Sequence, residues 1–306
     1  MSQDLMNTKE LARYLEIHEK QVYALVKAGR IPATRITGKW IFPRKLVDEW
    51  LESNASAVIQ QARDKRSKVQ GALLAAGSND PILDMLLASL KTSHPDFYIF
   101  SAVTGSTEGL RLLRAGLTDL AWCHLFDPDN GRYNTEHVLA SHLPSVRSVV
   151  VHIFNRESGL IVRRDNPKNI RDFTDIAQSG VTFVNRQSGS GTRLLIDYYL
   201  NKAGISPEKV TGYANEVNTH FEVGLAVLSG QVDAGVATIA VAKMLDLSFV
   251  PLILESFDMI LEQSTFFAHG VQAFIDDLQR REFRGKVENI YRYDFTNAGK
   301  VLHTNL

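Results

Sequence analysis

Two periodicities divide the chain. Over its first fifty residues, apolar positions recur at helical spacing in short runs. Leu11, Ala12 and Leu15 make one stripe, and Val22, Leu25 and Val26 a second, with a polar break at Glu16–His18 between them. Asn7 or Thr8 stands where an N-cap belongs, with Glu10 or Leu11 near the third helical position. Gly29 and Pro32 close the second helix. The stretch ATRITGKWIFPR then alternates as a short hairpin does, with Thr37-Gly38-Lys39 at its tip and Trp40 and Phe42 packing inward. Leu46, Val47, Trp50 and Leu51 predict a third helix after Arg44. Helix, turn, helix, wing, helix is the order of a DNA-binding head, and we bound this unit at residues 1–52.

Residues 53–68 are mostly polar and predict a linker. From Val69 the pattern becomes α/β. Strands are expected at 69–76, 97–103, 120–126, 148–154, 159–163, 181–184, 234–237, 249–252 and 258–261. Helices are expected after the turns at 77–81, 104–107 and 185–192, over 219–229 and over 269–280, with a tail or short helix at the end. Strands alternating with helices imply largely parallel sheets. The length of 69–306 favours two lobes, joined by segments near 150–160 and 245–260. The expected fold class is therefore α/β: a small winged helix-turn-helix head plus a two-lobed body.

Composition narrows the function. The formal net charge is zero, but residues 1–70 hold 13 Lys+Arg against 8 Asp+Glu and the remainder 21 against 26, which suits a basic head on an acidic body. The N-terminal residues lack the basic-then-apolar order of a secretory signal, and no apolar run is long enough to span a membrane. With Cys123 the only cysteine, no internal disulfide can form, and a cytoplasmic protein is expected. The nine histidines show no metal-ligand spacing, so neither metal nor cofactor is expected. Catalysis is not expected either. No G-x-S-x-G elbow is present, and Cys123 and His124, adjacent in a strand, point to opposite faces.

On the second helix, Lys20 and Gln21 lie away from the Val22/Leu25/Val26 stripe and suit base edges. Tyr23, Lys27, Arg35, Lys39 and Arg44 suit phosphates, and each of these also reads as an ordinary solvated side chain. The runs MNTKELARYL, KQVYALVKAGRIPA, TGKWIFPR and LVDEWL resemble the excisionase-type winged helix-turn-helix related to the MerR group. That resemblance implies a second helix lying in the major groove of double-stranded DNA. One head reads only a few base pairs, so a homodimer is expected.

Three hydroxyl-bearing turns follow predicted strands: Ser78-Asn79, Ser106-Thr107 and Ser188-Gly189-Ser190-Gly191-Thr192. Such turns cap helices, and they also present free N–H groups to anions. Arg186 flanks the third turn and is the favoured cationic contact. Arg193 is read as the partner of Asp197. Glu216 and His220 complete the candidates, and His124 is a further polar residue nearby in the pattern. NRQSGSGTRLLID and HFEVGLAVLSGQVDAGV resemble the type II periplasmic-binding-protein-like domains of molybdate- and tungstate-binding proteins. The resemblance implies a small anionic ligand, molybdate or tungstate first, with sulfate and phosphate weaker. A small organic acid or other metabolite sensed by the same architecture, or a DNA-binding architectural protein with a non-sensing body, are the alternatives.

Overall fold

A computed structural model describes residues 5–29, 31–36, 38–51, 72–144 and 146–304. The expected linker at 53–68 and the wing-tip residue Thr37 lie outside these. The chain divides into two units, Met1–Val69 and Gln70–Leu306. In the first, Asn7 begins the helix Thr8–Tyr14. Its Oδ1 accepts the Lys9 and Glu10 N–H groups at 2.9 and 3.0 Å, and Glu10 accepts the Asn7 N–H at 2.8 Å, a reciprocal cap that satisfies otherwise orphaned donors. The second helix is Glu19–Lys27, and residues 44–51 are helical. The wing strands Thr34–Ile36 and Lys39–Pro43 are joined by a third, Leu5–Met6, which pairs with Pro43 and Phe42. Two residues are too few for an alternation to register, so this strand has no signature in the sequence. Met6, Leu11, Val22, Phe42 and Val47 form the core, with Trp40 and Trp50 half-buried against it.

The body is built on two 15-residue strands, Ser148–Val162 and Ser248–Glu262, which run antiparallel to each other along their whole length. Strand order across the sheet is Glu216–Val217, Phe183–Arg186, Ala234–Thr238, the two long strands, Leu120–Cys123, Ala72–Gly77 and Tyr98–Val103. The last three are mutually parallel, as are the first three. Each end of the sheet carries its own helices and its own core, and these are the two lobes. Leu86, Trp122, Phe154 and Phe274 are buried in the first, and Leu160, Phe183, Ile196 and Val236 in the second. The sequence pattern splits each long strand in two, at 155–158 and at 253–257. The chain does not break there, because Arg156, Ser158, Glu255 and Phe257 are fully buried. Backbone irregularities at Pro251/Ile253 and Phe257/Asp258 adjust the register instead. The expected terminal tail is a helix, Arg281–Tyr291, followed by a strand, Val301–Thr304, that pairs with residues 149–151.

Candidate functional site

The head presents Lys20, Gln21, Tyr23 and Lys27 on the exposed side of the second helix, where Val22 alone is buried. Gln21 also has a local task, since its Oε1 accepts the His18 N–H at 3.0 Å and caps the helix. Lys39 is exposed on the wing. Arg35 is steadied there by the Gly38 carbonyl at 3.2 Å and by the Trp40 ring. Arg44 lies over the Tyr14 ring, 4.8 Å from its centroid. Two of the three wing-side cations are thus held in place by aromatic faces, which lowers the entropy lost on meeting a phosphate.

In the body the lobes meet along a seam, which is the candidate cleft. The Thr107 N–H donates to the Gly189 carbonyl at 3.2 Å. A Cβ at Gly105 would stand 3.2 Å from Ser190 Cα, and one at Gly191 would stand 2.7 Å from the His124 carbonyl oxygen. Both glycines are needed for this approach. From the first lobe come Ser78 and Ser106, whose hydroxyls bond each other at 2.7 Å, and His124, whose N–H reaches Ser106 Oγ at 3.3 Å. From the second lobe come Arg186, Thr192 and His220, all 2% exposed or less. Arg186 Nη2 donates to the Asn218 carbonyl at 2.8 Å and Nε to Gln187 Oε1 at 3.1 Å, while Nη1 has no partner. Thr192 Oγ1 and both ring nitrogens of His220 are also unpartnered. A buried polar group left so costs about 1–3 kcal/mol, and His124 Nδ1 of the first lobe is unpartnered as well.

Residues of the long strands floor the cleft. Arg156, fully buried, donates from Nη1 to Asp80 Oδ2 at 2.6 Å and from Nε to Glu255 Oε2 at 2.9 Å, and lies over the Phe257 ring. Tyr293 donates to the same Asp80 oxygen at 2.7 Å, and Asp80 Oδ1 caps the helix Pro81–Ser93. Burial, then repulsion from Arg156, pushes the Arg186 guanidinium down to about 9, so it stays charged at neutral pH. Burial first, then Arg186 and Arg156, push His220 well below its ordinary value. Burial also lowers His124, against the pull of Glu255. Burial tends to raise the Glu255 carboxyl, but the fields of His124 and Arg156 hold it down at about 2. With His124 neutral, Arg156 is the contact that keeps this carboxylate ionised.

Other sequence candidates sit at the rim. Ser188 is exposed, and its N–H donates to Glu216 Oε2 at 3.3 Å. Glu216 Oε1 is held by Arg193 at 2.6 Å, which also grips Asp197. Asn79 points to Asp84 at 3.4 Å. Ser190 caps the helix Gly191–Lys202 through the Arg193 N–H, and Gly189 supplies the carbonyl for the interlobe bond. Arg156 and Glu255 have no motif around them, and only their burial in a strand singles them out. Among the described residues no group of three or more His, Cys, Asp or Glu side chains could hold a metal ion, and no helix is long and apolar enough to cross a membrane. Cys123 is buried, which pushes its thiol up to about 12 and makes it a packing residue.

Residues 87–279 match the PBP superfamily domain, and residues 5–55 match a helix-turn-helix domain. The Bacillus subtilis (strain 168) "Uncharacterized protein YvgK" is 27% identical over 301 residues, 96% of each chain. Among solved structures, the body resembles a phosphate ABC transporter substrate-binding protein with bound phosphate from Clostridium perfringens (16% identity, 72% of this chain and 98% of that one, TM-score 0.55). It also resembles the CcmR regulatory domain of Synechocystis PCC6803 in complex with 2-PG (17%, 68% and 96%, TM-score 0.52). Corynebacterium glutamicum OxyR aligns over 94% of this chain and 90% of its own, at 15% identity and TM-score 0.51. These matched structures are binding and regulatory proteins. The OxyR alignment corrects the kinship drawn from the head. At the level of fold, the likeness that spans both head and body is to OxyR, and the excisionase or MerR kinship is not upheld. The runs that suggested otherwise encode a cap, two stripes and a wing, which specify a small winged head whatever its lineage.

Proposed function

The chain belongs to the PBP superfamily, and on that premise we propose that it is a DNA-binding transcription regulator, working as a homodimer in the cytoplasm, whose body closes on a small anionic metabolite. One observation carries the ligand reading: Arg186, buried with Nη1 unpartnered, faces a cleft in which Thr192 and His220 are unpartnered too. A guanidinium placed there makes a charge-assisted bond to an anionic oxygen. We favour an organic acid over molybdate or tungstate. A bare oxyanion offers acceptors only, whereas this cleft also contains the ionised carboxylate of Glu255. The bound phosphate and 2-PG of the two body neighbours are in keeping with an anionic ligand, and the second is organic.

On the head, Lys20 and Gln21 are assigned to base edges, and Tyr23, Lys27, Arg35, Lys39 and Arg44 to the backbone. The test is selection of duplex fragments with the full-length chain, followed by gel shifts. Changing Lys20 and Gln21 together to Ala weakens the selected site more than random DNA. Lys39→Ala weakens both and reduces the salt slope. Equal specific binding by chains with and without residues 1–52 sinks the DNA assignment. A bound effector that favours one arrangement of the body alters the shift.

A further inference from the structure

Glu255 stands out among the buried groups because its two oxygens are treated differently. Its side chain is fully buried, and Oε2 is taken by Arg156, with Nε and Nη2 both at 2.9 Å. Oε1 makes no hydrogen bond. The His124 Nδ1 stands 3.5 Å from it, beyond good hydrogen-bonding distance. Arg186, His124 and Tyr133 are close enough to feel its charge. The Tyr133 hydroxyl is itself buried without a partner. An ionised carboxylate oxygen with nothing to accept is among the costliest things a closed cleft can hold.

We infer that the effector carries, besides its anionic group, an ammonium or hydroxyl donor that sits on Glu255 Oε1. Glu255 then selects an amino or hydroxy acid over a plain acid or an inorganic oxyanion. This rests on the reading of the cleft given above. For an amino acid, charge balance points the same way. The buried cations Arg156 and Arg186 are matched by the buried anions Asp80 and Glu255. A ligand of net charge near zero preserves that balance, and a dianion held by neutral donors leaves it strongly negative in a medium of low dielectric. An acid without a donor leaves Oε1 unmet and brings its own oxygens towards it. Sites built to take a hydrogen bond reject the analogue that lacks it.

The test is a thermal-shift and calorimetric panel on the full chain at neutral pH. It uses plain, hydroxy- and amino-substituted acids in matched sets (propionate, lactate and alanine; succinate, malate and aspartate; and their homologues to six carbons), with inorganic phosphate and molybdate alongside. The expected result is that the tightest ligand bears a donor and exceeds its plain counterpart by at least about ten-fold in Kd. In Glu255→Gln that ratio shrinks for amino acids while the plain acid binds no worse. The wild-type comparison stands even if that variant folds poorly. A plain acid or an oxyanion that binds as well as any donor-bearing member overturns the inference and leaves the sensor reading intact. A panel with no shift, in a chain whose DNA binding no member alters, removes the sensor reading and this inference with it.

Discussion

The first lobe brings to the cleft two serines that already bond each other, beside a His124 whose Nδ1 is unmet, and the second brings mainly groups that are unmet. Ser78 and Ser106 share a hydrogen bond, and Ser106 also receives the His124 N–H. Arg186, Thr192 and His220 each carry at least one unmet donor or acceptor. A satisfied cluster is stable with or without ligand and shapes the wall it forms. An unsatisfied one has more to gain from a ligand. On the proposed reading the larger share of the affinity therefore falls to the second lobe, and the first closes over it.

The sharpest way to break this contrast is Arg186→Ala. It removes about 3 kcal/mol of charge-assisted bonding, or about 100-fold in effector affinity. The melting temperature of the protein without effector falls by a few degrees at most, since the bonds lost to the Asn218 carbonyl and Gln187 Oε1 are partly offset by removal of a buried cation. Calorimetry with any ligand found by the acid panel checks the first statement and a melting scan the second. A large fall in melting temperature with affinity unchanged would make Arg186 a structural residue.

Next in size is the response to acid. His124 and His220 have folded pKa values below the ordinary 6.5, so the unfolded chain binds more protons than the folded one as pH falls below that value. Stability is full above it and drops on acidification, by up to about 1.4 kcal/mol per pH unit for each imidazole. Melting scans from pH 7.5 to 5.5 show the decline, and His220→Gln removes a large part of it. A flat profile would mean that neither ring is held neutral by its surroundings.

Gly191→Ala has a narrower effect. The added Cβ would stand 2.7 Å from the His124 carbonyl oxygen where the lobes meet, so effector affinity drops about ten-fold or more. Ser106→Ala is the smallest. It costs about 1 kcal/mol of stability and changes affinity by less than Arg186→Ala does, because Ser106 already has its partners. If Ser106→Ala instead abolished binding, the division of labour between the lobes would be reversed.

What the sequence reveals follows the same line between local and distant. The cap at Asn7, the stripe at Val22, Leu25 and Val26 and the hydroxyl-glycine turn at 188–192 are all written within a few neighbouring residues, and the pattern finds them. Arg156 and Glu255 are polar residues in otherwise apolar strands. Local periodicity therefore reads them as strand ends, although they meet across 99 positions of chain. The same blindness shaped the ligand expectation. The resemblance, with the hydroxyl-bearing turns beside it, pointed to an oxyanion, and nothing near Glu255 announced that a carboxylate would share their cleft. Leu5–Met6 escaped because a two-residue strand exists only through its partner.

One tie bears on how the molecule is made. Asp80, near the start of the body, is bonded to Tyr293, and the strand Val301–Thr304 completes the edge beside residues 149–151. During synthesis the head has its core as soon as its own residues emerge. The body must wait for the residues around 293–304, so a nascent chain passes through an interval in which the reading head is finished and the body behind it is not. A ribosome stalled in the last helix would release a DNA-binding fragment deaf to the effector.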